Sequence, residues 1–304
     1  NKEKVFFLKK CSIFPYFLAK YSSNRQIFCN FARKMRNYIR THNQLLDLSL
    51  PRIMAIINIT PDSFYTSCTT LSENEVLSAT EQALQEGADL LDLGACSTRP
   101  NSTPVNATEE WNRLAPALNA IRHHWHDIPI SDTFRADIAQ KALTAGANII
   151  NDVYGGIADP DIWDVVARFR APYILTHASQ INENRQDQAL SEVLSYMQER
   201  LDLLHQKGLA DIIIDPGFGF GKNLEQNYNI LKQLDVLQVL HAPILVGISR
   251  KSMLYKPLDI TPEQALPATI AAHTLALERG ATILRVHDVA AAKQAITIYN
   301  LTHK

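Results

Sequence analysis

Eight short apolar runs rich in β-branched residues recur along the chain, and each is followed by a longer segment with helical spacing. The runs cover residues 53–57, 90–93, 128–130, 149–153, 173–175, 212–214, 244–248 and 283–286. Apolar strands that alternate with helices are typical of a parallel sheet buried on both faces. Eight such units in about 250 residues match a closed barrel better than an open doubly wound sheet. We therefore predict an α/β fold, a single-domain (β/α)8 TIM barrel.

The intervening segments contain good helix formers and end in the expected way. They cover residues 73–85, 108–124, 136–145, 161–168, 190–207, 224–234, 262–278 and 290–299. Gly87, Gly146, Gly208 and Gly280 each follow one of these segments, as glycines at helix C-termini do. The sequence contains no internal repeat or linker, so one domain is expected.

Composition excludes three other classes of protein. With 304 residues, 46% of them hydrophobic and 20% charged, the chain is neither disordered, collagen-like nor a coiled coil. The best candidate membrane segment, residues 5–19, is interrupted by Lys9, Lys10 and Pro15 and is shorter than the ~20 apolar residues of a span. Four cysteines form no CxxC pair, which favours a reducing compartment. We expect a soluble cytoplasmic protein with no membrane partner.

The first forty residues differ from the rest of the chain. They carry ten Lys or Arg and one acid, Glu3, which leaves 20 basic against 30 acidic residues in the remainder. A basic targeting peptide, a nucleic-acid arm and sequence translated upstream of a true start at Met35 all fit this pattern, and we favour the last. The acidic remainder argues against nucleic acid as a partner. We assign residues 1–50 to an extension outside the barrel and 51–304 to the barrel domain.

Polar residues follow all eight predicted strands, where a barrel of this kind places its active site. Each could instead be a helix cap, a tight turn or a solvated loop. Two groups of these residues nevertheless indicate a particular kind of ligand. Arg250, Lys251, Arg285 and His287 follow strands seven and eight, where barrels commonly bind phosphate. Carboxylate and amide oxygens on the intervening strands could accept hydrogen bonds from a ring that carries N–H and NH2 donors; these residues are Asp132, Asn151 and Asp215.

Six segments make the chain recognisable. They are MAIINITPDSF (54–64), GADLLDLGACSTRP (87–100), DTFRADIAQKALTAGANIINDVYG (132–155), DPGFGFGKNLEQN (215–227), GISRKSM (247–253) and LRVHDV (284–289). In this order they resemble the dihydropteroate synthases of folate biosynthesis, over residues 53–296. The resemblance implies an enzyme that condenses 6-hydroxymethyl-7,8-dihydropterin pyrophosphate with 4-aminobenzoate, releases pyrophosphate, uses Mg2+ and forms homodimers.

The resemblance also implies a role for each matching residue. The pterin-binding residues would be Asp132, Asn151, Asp215 and Lys251. The pyrophosphate would be bound by Asn58, Thr98, Arg99, Arg285 and His287, with Asn58 also the metal ligand. The aminobenzoate would contact Phe64, Pro100, Phe220 and Ser252. Lys251, Asp132, Arg285 and His287 would form the catalytic set. An aromatic amine is unprotonated at neutral pH, so neither a strong base nor a nucleophilic serine or cysteine is expected.

Some loops depart from the usual pattern of this family. Tyr65, Thr66 and Ser67 follow Phe64, Asn101 follows Pro100, and Ala178 and Ser179 follow a retained His177. The alternatives to the synthase are a pterin-binding methyltransferase domain on the same barrel and a catalytically silent pterin-binding paralogue. The methyltransferase would not need the cationic set on strands seven and eight.

Overall fold

The computed structural model describes residues 38–41, 45–59, 72–95, 105–126, 130–131, 133–181 and 188–303. Eight strands within these ranges pair in parallel: β1 (Arg52–Asn58), β2 (Leu90–Gly94), β3 (Ile130–Ser131), β4 (Ile150–Asp152), β5 (Tyr173–Thr176), β6 (Ile212–Asp215), β7 (Leu245–Val246) and β8 (Ile283–Val286). Each strand is followed by a helix: α1 (Glu73–Gln85), α2 (Ala107–His124), α3 (Ala136–Thr144), α4 (Ile162–Phe169), α5 (Ala189–Gln206), α6 (Leu224–Lys232), α7 (Leu266–Glu278) and α8 (Val289–Thr302).

The strands form two arcs that meet at a bridge. One arc has the order β3-β2-β1-β8-β7 and the other β4-β5-β6. A parallel bridge between Ile214 and Ile244 joins β6 to the start of β7. Successive helices contact one another outside the strands, as α1 does with α2 and α7 with α8. The predicted (β/α)8 barrel is therefore confirmed.

One predicted helix begins later than expected. The segment 262–278 starts as a 3-10 turn, Glu263–Ala265, and α7 begins only at Leu266. The guanidinium of Arg250 donates to the carbonyl oxygens of Pro262 and Glu263, at 3.0 and 2.8 Å. An α-helical turn from Glu263 would need an N–H at residue 267, but Pro267 has none and lies in the first turn of α7. The helix therefore begins at Leu266, and the Glu263 carbonyl accepts from Arg250 instead.

The two faces of each strand bury different side chains, as the alternation of a strand requires. Residues such as Ile53, Leu91 and Leu284 face the helices and belong to a large core cluster. Their neighbours along the strands face the inside of the barrel and form a compact apolar floor of Met54, Leu90, Ile149, Ile174, Ile213, Leu245 and Ile283. The floor fills the barrel, so a ligand can enter only above it.

An antiparallel hairpin precedes the barrel. Its strands, Tyr38–Arg40 and Leu45–Asp47, pair with each other and not with a barrel strand. Ile39 and Leu48 are nevertheless buried in the floor cluster. The backbone N–H of Arg40 also donates to Asp211 at the foot of β6. The two hairpin strands and Leu48 thus cover the N-terminal end of the barrel, and the domain boundary predicted at residue 50 stays a prediction.

Among the described helices, none combines the length and the apolar character that crossing a bilayer would require.

Candidate functional site

A layer of polar residues lies directly above the apolar floor. Two positions beyond Leu90, Ile149, Ile213 and Ile283, on the same inward face of each strand, come Asp92, Asn151, Asp215 and Arg285. The repeat of two residues along a strand therefore brings side chains from four separate strands into one inward-facing layer. Three of these four residues were predicted for the site, and the structure brings them together.

Asp92 links two of the predicted residues. Its Oδ2 accepts hydrogen bonds from Nε and Nη2 of Arg285, at 2.6 and 2.5 Å. Its Oδ1 accepts from the amide of Asn151 at 3.1 Å. Asp92 is only 2% exposed. Asp92 is not among the predicted site residues, although an acid inside an otherwise apolar strand indicates a buried carboxylate that needs a partner.

Asp215 and Lys251 are two further buried charged residues of the site, and each lies in the electrostatic field of the other. Burial raises the pKa of Asp215, while the Lys251 ammonium, the Gly217 N–H and the Arg285 guanidinium act in the opposite direction. Burial lowers the pKa of Lys251 to about 8, and the Asp215 carboxylate limits this shift. The Lys251 ammonium also donates to the carbonyl oxygen of Phe218 and lies 4.6 Å from the centre of the Phe220 ring.

The loop after β6 is held by backbone geometry and by one lysine. Gly217 has a φ of +70°, and a Cβ there would lie 2.0 Å from the carbonyl oxygen of His177. Its N–H donates to Asp215 Oδ1 at 2.8 Å. The Lys222 ammonium donates to the carbonyls of His177, Gly217 and Phe220 at 2.8–2.9 Å, and burial lowers its pKa to about 7. The glycine therefore lets the loop approach β5 and aim an N–H at the carboxylate.

His177, retained at the end of β5, is buried beside this loop. Its ring packs edge-to-face against Tyr196 at a centroid distance of 4.5 Å. Burial and the nearby Lys222 ammonium lower the pKa of His177 to about 3. It is therefore a neutral packing residue.

Fewer cationic side chains are available to bind an anion than the sequence predicts. His287 is exposed at the end of β8, and its Nδ1 lies 3.1 Å from the buried hydroxyl of Ser249. Arg250 is predicted to bind an anion but instead pairs with Asp288 through two hydrogen bonds of 2.8 and 2.7 Å. It also donates to the carbonyls of Pro262 and Glu263, just before α7. Its donors are used within the fold, so we remove Arg250 from the anion-binding set. Lys251, Arg285 and His287 remain.

Asn58 ends β1 on the inward face, beside Gly94 of β2. A Cβ at Gly94 would lie 3.0 Å from Asn58 Oδ1, so the glycine leaves room for the amide oxygen. Oxygen donors of this kind suit Mg2+, which is often bound by few protein ligands together with substrate phosphates. In the described part of the chain, no cluster of three His, Cys, Asp or Glu residues forms a protein-only metal site. The single amide fits a metal that arrives with its substrate.

The remaining predicted residues divide into two groups. Phe220 and Ser252 flank Lys251, the first through its ring and the second as the start of the short helix Ser252–Tyr255. Phe64, Thr98, Arg99, Pro100 and Asp132 lie outside the described residues. The altered first and second loops, with Tyr65, Thr66, Ser67 and Asn101, also lie outside them.

Comparison with known proteins gives one consistent result. The model of the family described as "Pterin binding enzyme" matches residues 54–287. Dihydropteroate synthase of Haemophilus influenzae is 34% identical over 268 residues, which cover 86% of this chain and 97% of that protein. The Synechocystis enzyme of the same name is 40% identical over 251 residues, covering 80% and 86%.

A solved structure agrees with these relatives. Xanthomonas albilineans dihydropteroate synthase in complex with 7,8-dihydropteroate superimposes with a TM-score of 0.79 and 35% identity, covering 88% of this chain and 98% of that one. The match spans nearly the whole relative and includes the strands that carry the polar layer. The chain therefore belongs to the dihydropteroate synthase family of pterin-binding enzymes.

Proposed function

We propose that the polar layer above the barrel floor binds the pterin substrate and directs its condensation with 4-aminobenzoate. The observation that carries this assignment is a buried acid close to two cations: Asp215 lies in the electrostatic field of Lys251 and Arg285, and only Gly247 stands between Asp215 and Arg285. A pterin offers N–H and NH2 donors on one edge, and its pyrophosphate carries concentrated negative charge. The site supplies acceptors for the first and positive charge for the second.

The pterin ring would lie against the inward layer. Asp215 accepts from its N–H and NH2 groups, Asn151 contributes an amide, and Lys251 donates to a ring acceptor. Asp132 completes this set on sequence grounds. Since each such charged hydrogen bond is worth roughly 1.5–3 kcal/mol, three or four of them suffice to select a pterin.

The pyrophosphate would lie toward β8 and β1. Arg285 and His287 bind its oxygens, and Thr98 and Arg99 join them from the second loop. Mg2+ would be held by Asn58 and by the substrate's own phosphate oxygens, and when bound it neutralises charge on the departing group. His287 is exposed and Arg285 half-buried, so both can reach a ligand in the mouth of the barrel.

The aminobenzoate would lie above the pterin, on the side away from the apolar floor. Its ring packs among Phe220, Phe64, Pro100 and the aliphatic part of Lys251, and its carboxylate is bound by Ser252. The cation–π contact between Lys251 and Phe220 supports this placement, because it holds an aromatic wall beside the reacting position.

The reaction needs charge stabilisation more than proton transfer. The bond between the pterin methylene and the pyrophosphate oxygen breaks, its electron pair leaves with the oxygen, and the amine lone pair forms the new carbon–nitrogen bond. One amine proton is then released to solvent or to the product anion. The cations stabilise the leaving group, and the carboxylates favour positive charge on the pterin methylene.

Turnover by the purified protein tests the assignment. We expect dihydropteroate and pyrophosphate in equal amounts from the pterin pyrophosphate, 4-aminobenzoate and Mg2+, followed by chromatography. Lys251→Ala should reduce turnover by at least a hundredfold while the thermal unfolding midpoint changes by a few degrees. Tight pterin binding without any product would instead support a silent paralogue, and methyl transfer to a pterin-linked acceptor would support the methyltransferase.

We also propose a homodimer, formed through α7 and α8. The outer faces of these adjacent helices expose Leu275, Ile298 and Leu301 at 46, 62 and 59%. Helix α7 has one charged residue, Glu278. An exposed apolar surface across two packed helices favours association with a second copy.

Light scattering after gel filtration measures the assembly directly. Ile298→Glu should convert a dimer into a monomer, whereas Val239→Glu, at an exposed apolar position on the 3-10 segment Leu234–Leu240, should not. A wild-type monomer at micromolar concentration would contradict the proposal.

We propose that the protein is cytoplasmic, because its four cysteines form no CxxC motif and a chain of this length needs no disulfide scaffold. Fractionation of its native cells with an antibody tests this directly, and recovery from membranes or an exported fraction would contradict it.

A further inference from the structure

Asp92 joins the two halves of the proposed site, although no substrate contact is assigned to it. It lies on the inward face of β2, between the floor residue Leu90 and the end of the strand. One carboxylate oxygen binds the guanidinium of Arg285 and the other binds the amide of Asn151. Arg285 belongs to the anion side and Asn151 to the pterin side. A single buried carboxylate therefore fixes a residue of each group.

The contact with Asp92 fixes the orientation of the Arg285 guanidinium as well as balancing its charge. Nε and Nη2 both donate to the same oxygen, and a planar guanidinium held at two of its nitrogens cannot rotate about its last side-chain bonds. The partner lies two strands away: Asp92 is on β2 and Arg285 on β8, with β1 between them. The ion pair therefore links two strands through the barrel interior, although these strands are not hydrogen-bonded neighbours.

Without Asp92, Arg285 has another acid within reach. Gly247 lies between Arg285 and Asp215, and a Cβ built there is 3.9 Å from Arg285 Cδ and 3.9 Å from Asp215 Oδ2. Since glycine leaves no side chain between the two groups, the guanidinium can turn toward Asp215. Such a pair would occupy the carboxylate that is proposed to read the pterin ring.

We propose that Asp92 is a positioning residue: it holds Arg285 toward the anion side, keeps Asp215 available to the pterin and aligns the Asn151 amide. The proposal deepens the proposed function and rests on it for the identity of the ligand. It predicts a specific defect in pterin binding, because removing the carboxylate releases a competitor for the same acid.

The test measures binding separately from turnover. Calorimetric titration with 6-hydroxymethyl-7,8-dihydropterin pyrophosphate and Mg2+ should give at least a tenfold higher Kd for Asp92→Asn, while the KM for 4-aminobenzoate changes less than twofold. In the Arg285→Ala background, Asp92→Asn should add less than threefold to the Kd, because the competitor for Asp215 is already gone and only the alignment of Asn151 is still lost. A Kd within twofold of the wild type would overturn the proposal.

A matched control separates positioning from stability. Asp89, at the opposite end of β2, forms a similar pair with Arg52 at 2.9 Å and accepts from the N–H of Ile53. Asp89→Asn should lower the unfolding midpoint and leave the Kd for the pterin pyrophosphate unchanged. Equal changes in Kd for the two variants would show that Asp92 acts only through stability and would sink the idea.

Two complications, an unfolded variant and a wild type without turnover, can be told apart from a failure of the proposal. If Asp92→Asn does not fold, Asp92→Glu replaces it, because it keeps the charge but moves the carboxylate; at least a threefold rise in Kd is then expected, and an unchanged Kd contradicts the proposal. If the wild type binds the pterin pyrophosphate but gives no product, the proposed function fails while the binding test of Asp92 still stands.

Discussion

At the scale of single residues, the site depends on charges that are buried beside one another. Burial raises the pKa of Asp215 and lowers that of Lys251, and each group limits the shift of the other. Of the two buried lysines whose pKa falls near neutrality, Lys222 at about 7 holds the loop after β6, and Lys251 at about 8 is the one proposed to contact the substrate. Its pKa of about 8 predicts where activity ends on the alkaline side.

The pH profile of kcat/KM for the pterin pyrophosphate tests this value. Lys251 is charged below a pH of about 8 and loses its proton above it, so we expect a plateau that falls about tenfold per pH unit on the alkaline side. Lys251→Arg keeps its charge and should move this decline beyond pH 10, even if its plateau is lower. A decline at an unchanged pH in the arginine variant would assign the titration to another group.

At the scale of elements, loops place the donors and acceptors that strands cannot supply. The loop after β6 approaches β5 only because residue 217 is glycine. Gly217→Ala would force a Cβ to within 2.0 Å of a backbone oxygen and would remove the N–H of residue 217 from Asp215. We expect a loss of stability of about 3 kcal/mol or more and at least a tenfold weaker affinity for the pterin pyrophosphate.

Gly208→Ala provides the comparison for this loop. Gly208 also has a positive φ, +89°, but a Cβ there meets nothing within 4 Å. It should therefore cost only about 1 kcal/mol of backbone strain and leave pterin binding intact. Urea unfolding and calorimetry measure both quantities. Equal effects of the two substitutions would refute the role of close approach at 217.

At the scale of the whole molecule, the hairpin completes the barrel from below. Deleting residues 1–34 keeps the hairpin, and we expect unchanged turnover and stability. Deleting residues 1–50 uncovers the floor by removing Ile39 and Leu48. Since each buried aliphatic side chain contributes about 1.5–3 kcal/mol, the longer deletion should reduce the free energy of unfolding by about 3 kcal/mol or more. Denaturant unfolding of both truncations gives the answer, and an inactive 35–304 chain would show that the first segment matters.

Much of this architecture follows from local pattern. The eight apolar runs, their helices and the glycines at helix ends were predicted from spacing, and Gly87 and Gly146 indeed have positive φ values. The predicted pterin residues Asn151 and Asp215 lie at the carboxyl ends of β4 and β6, and Lys251 follows β7, so the parallel strands bring them to the same end of the barrel. Such features are determined by neighbours in sequence, so a linear reading detects them.

The pairing of charged side chains was decided only by the tertiary structure. Asp92 and Arg285 are 193 positions apart, and Arg250 finds Asp288 38 positions away instead of an anion. Closing the barrel sets which inward side chains meet, and hydrophobic periodicity carries no information about which acid a given arginine reaches. The sequence by itself determined eight strand–helix units with polar ends and the family to which they belong. The closed barrel decided the partners, because a buried charge must pair with whichever opposite charge the curvature of the sheet brings within a few ångströms.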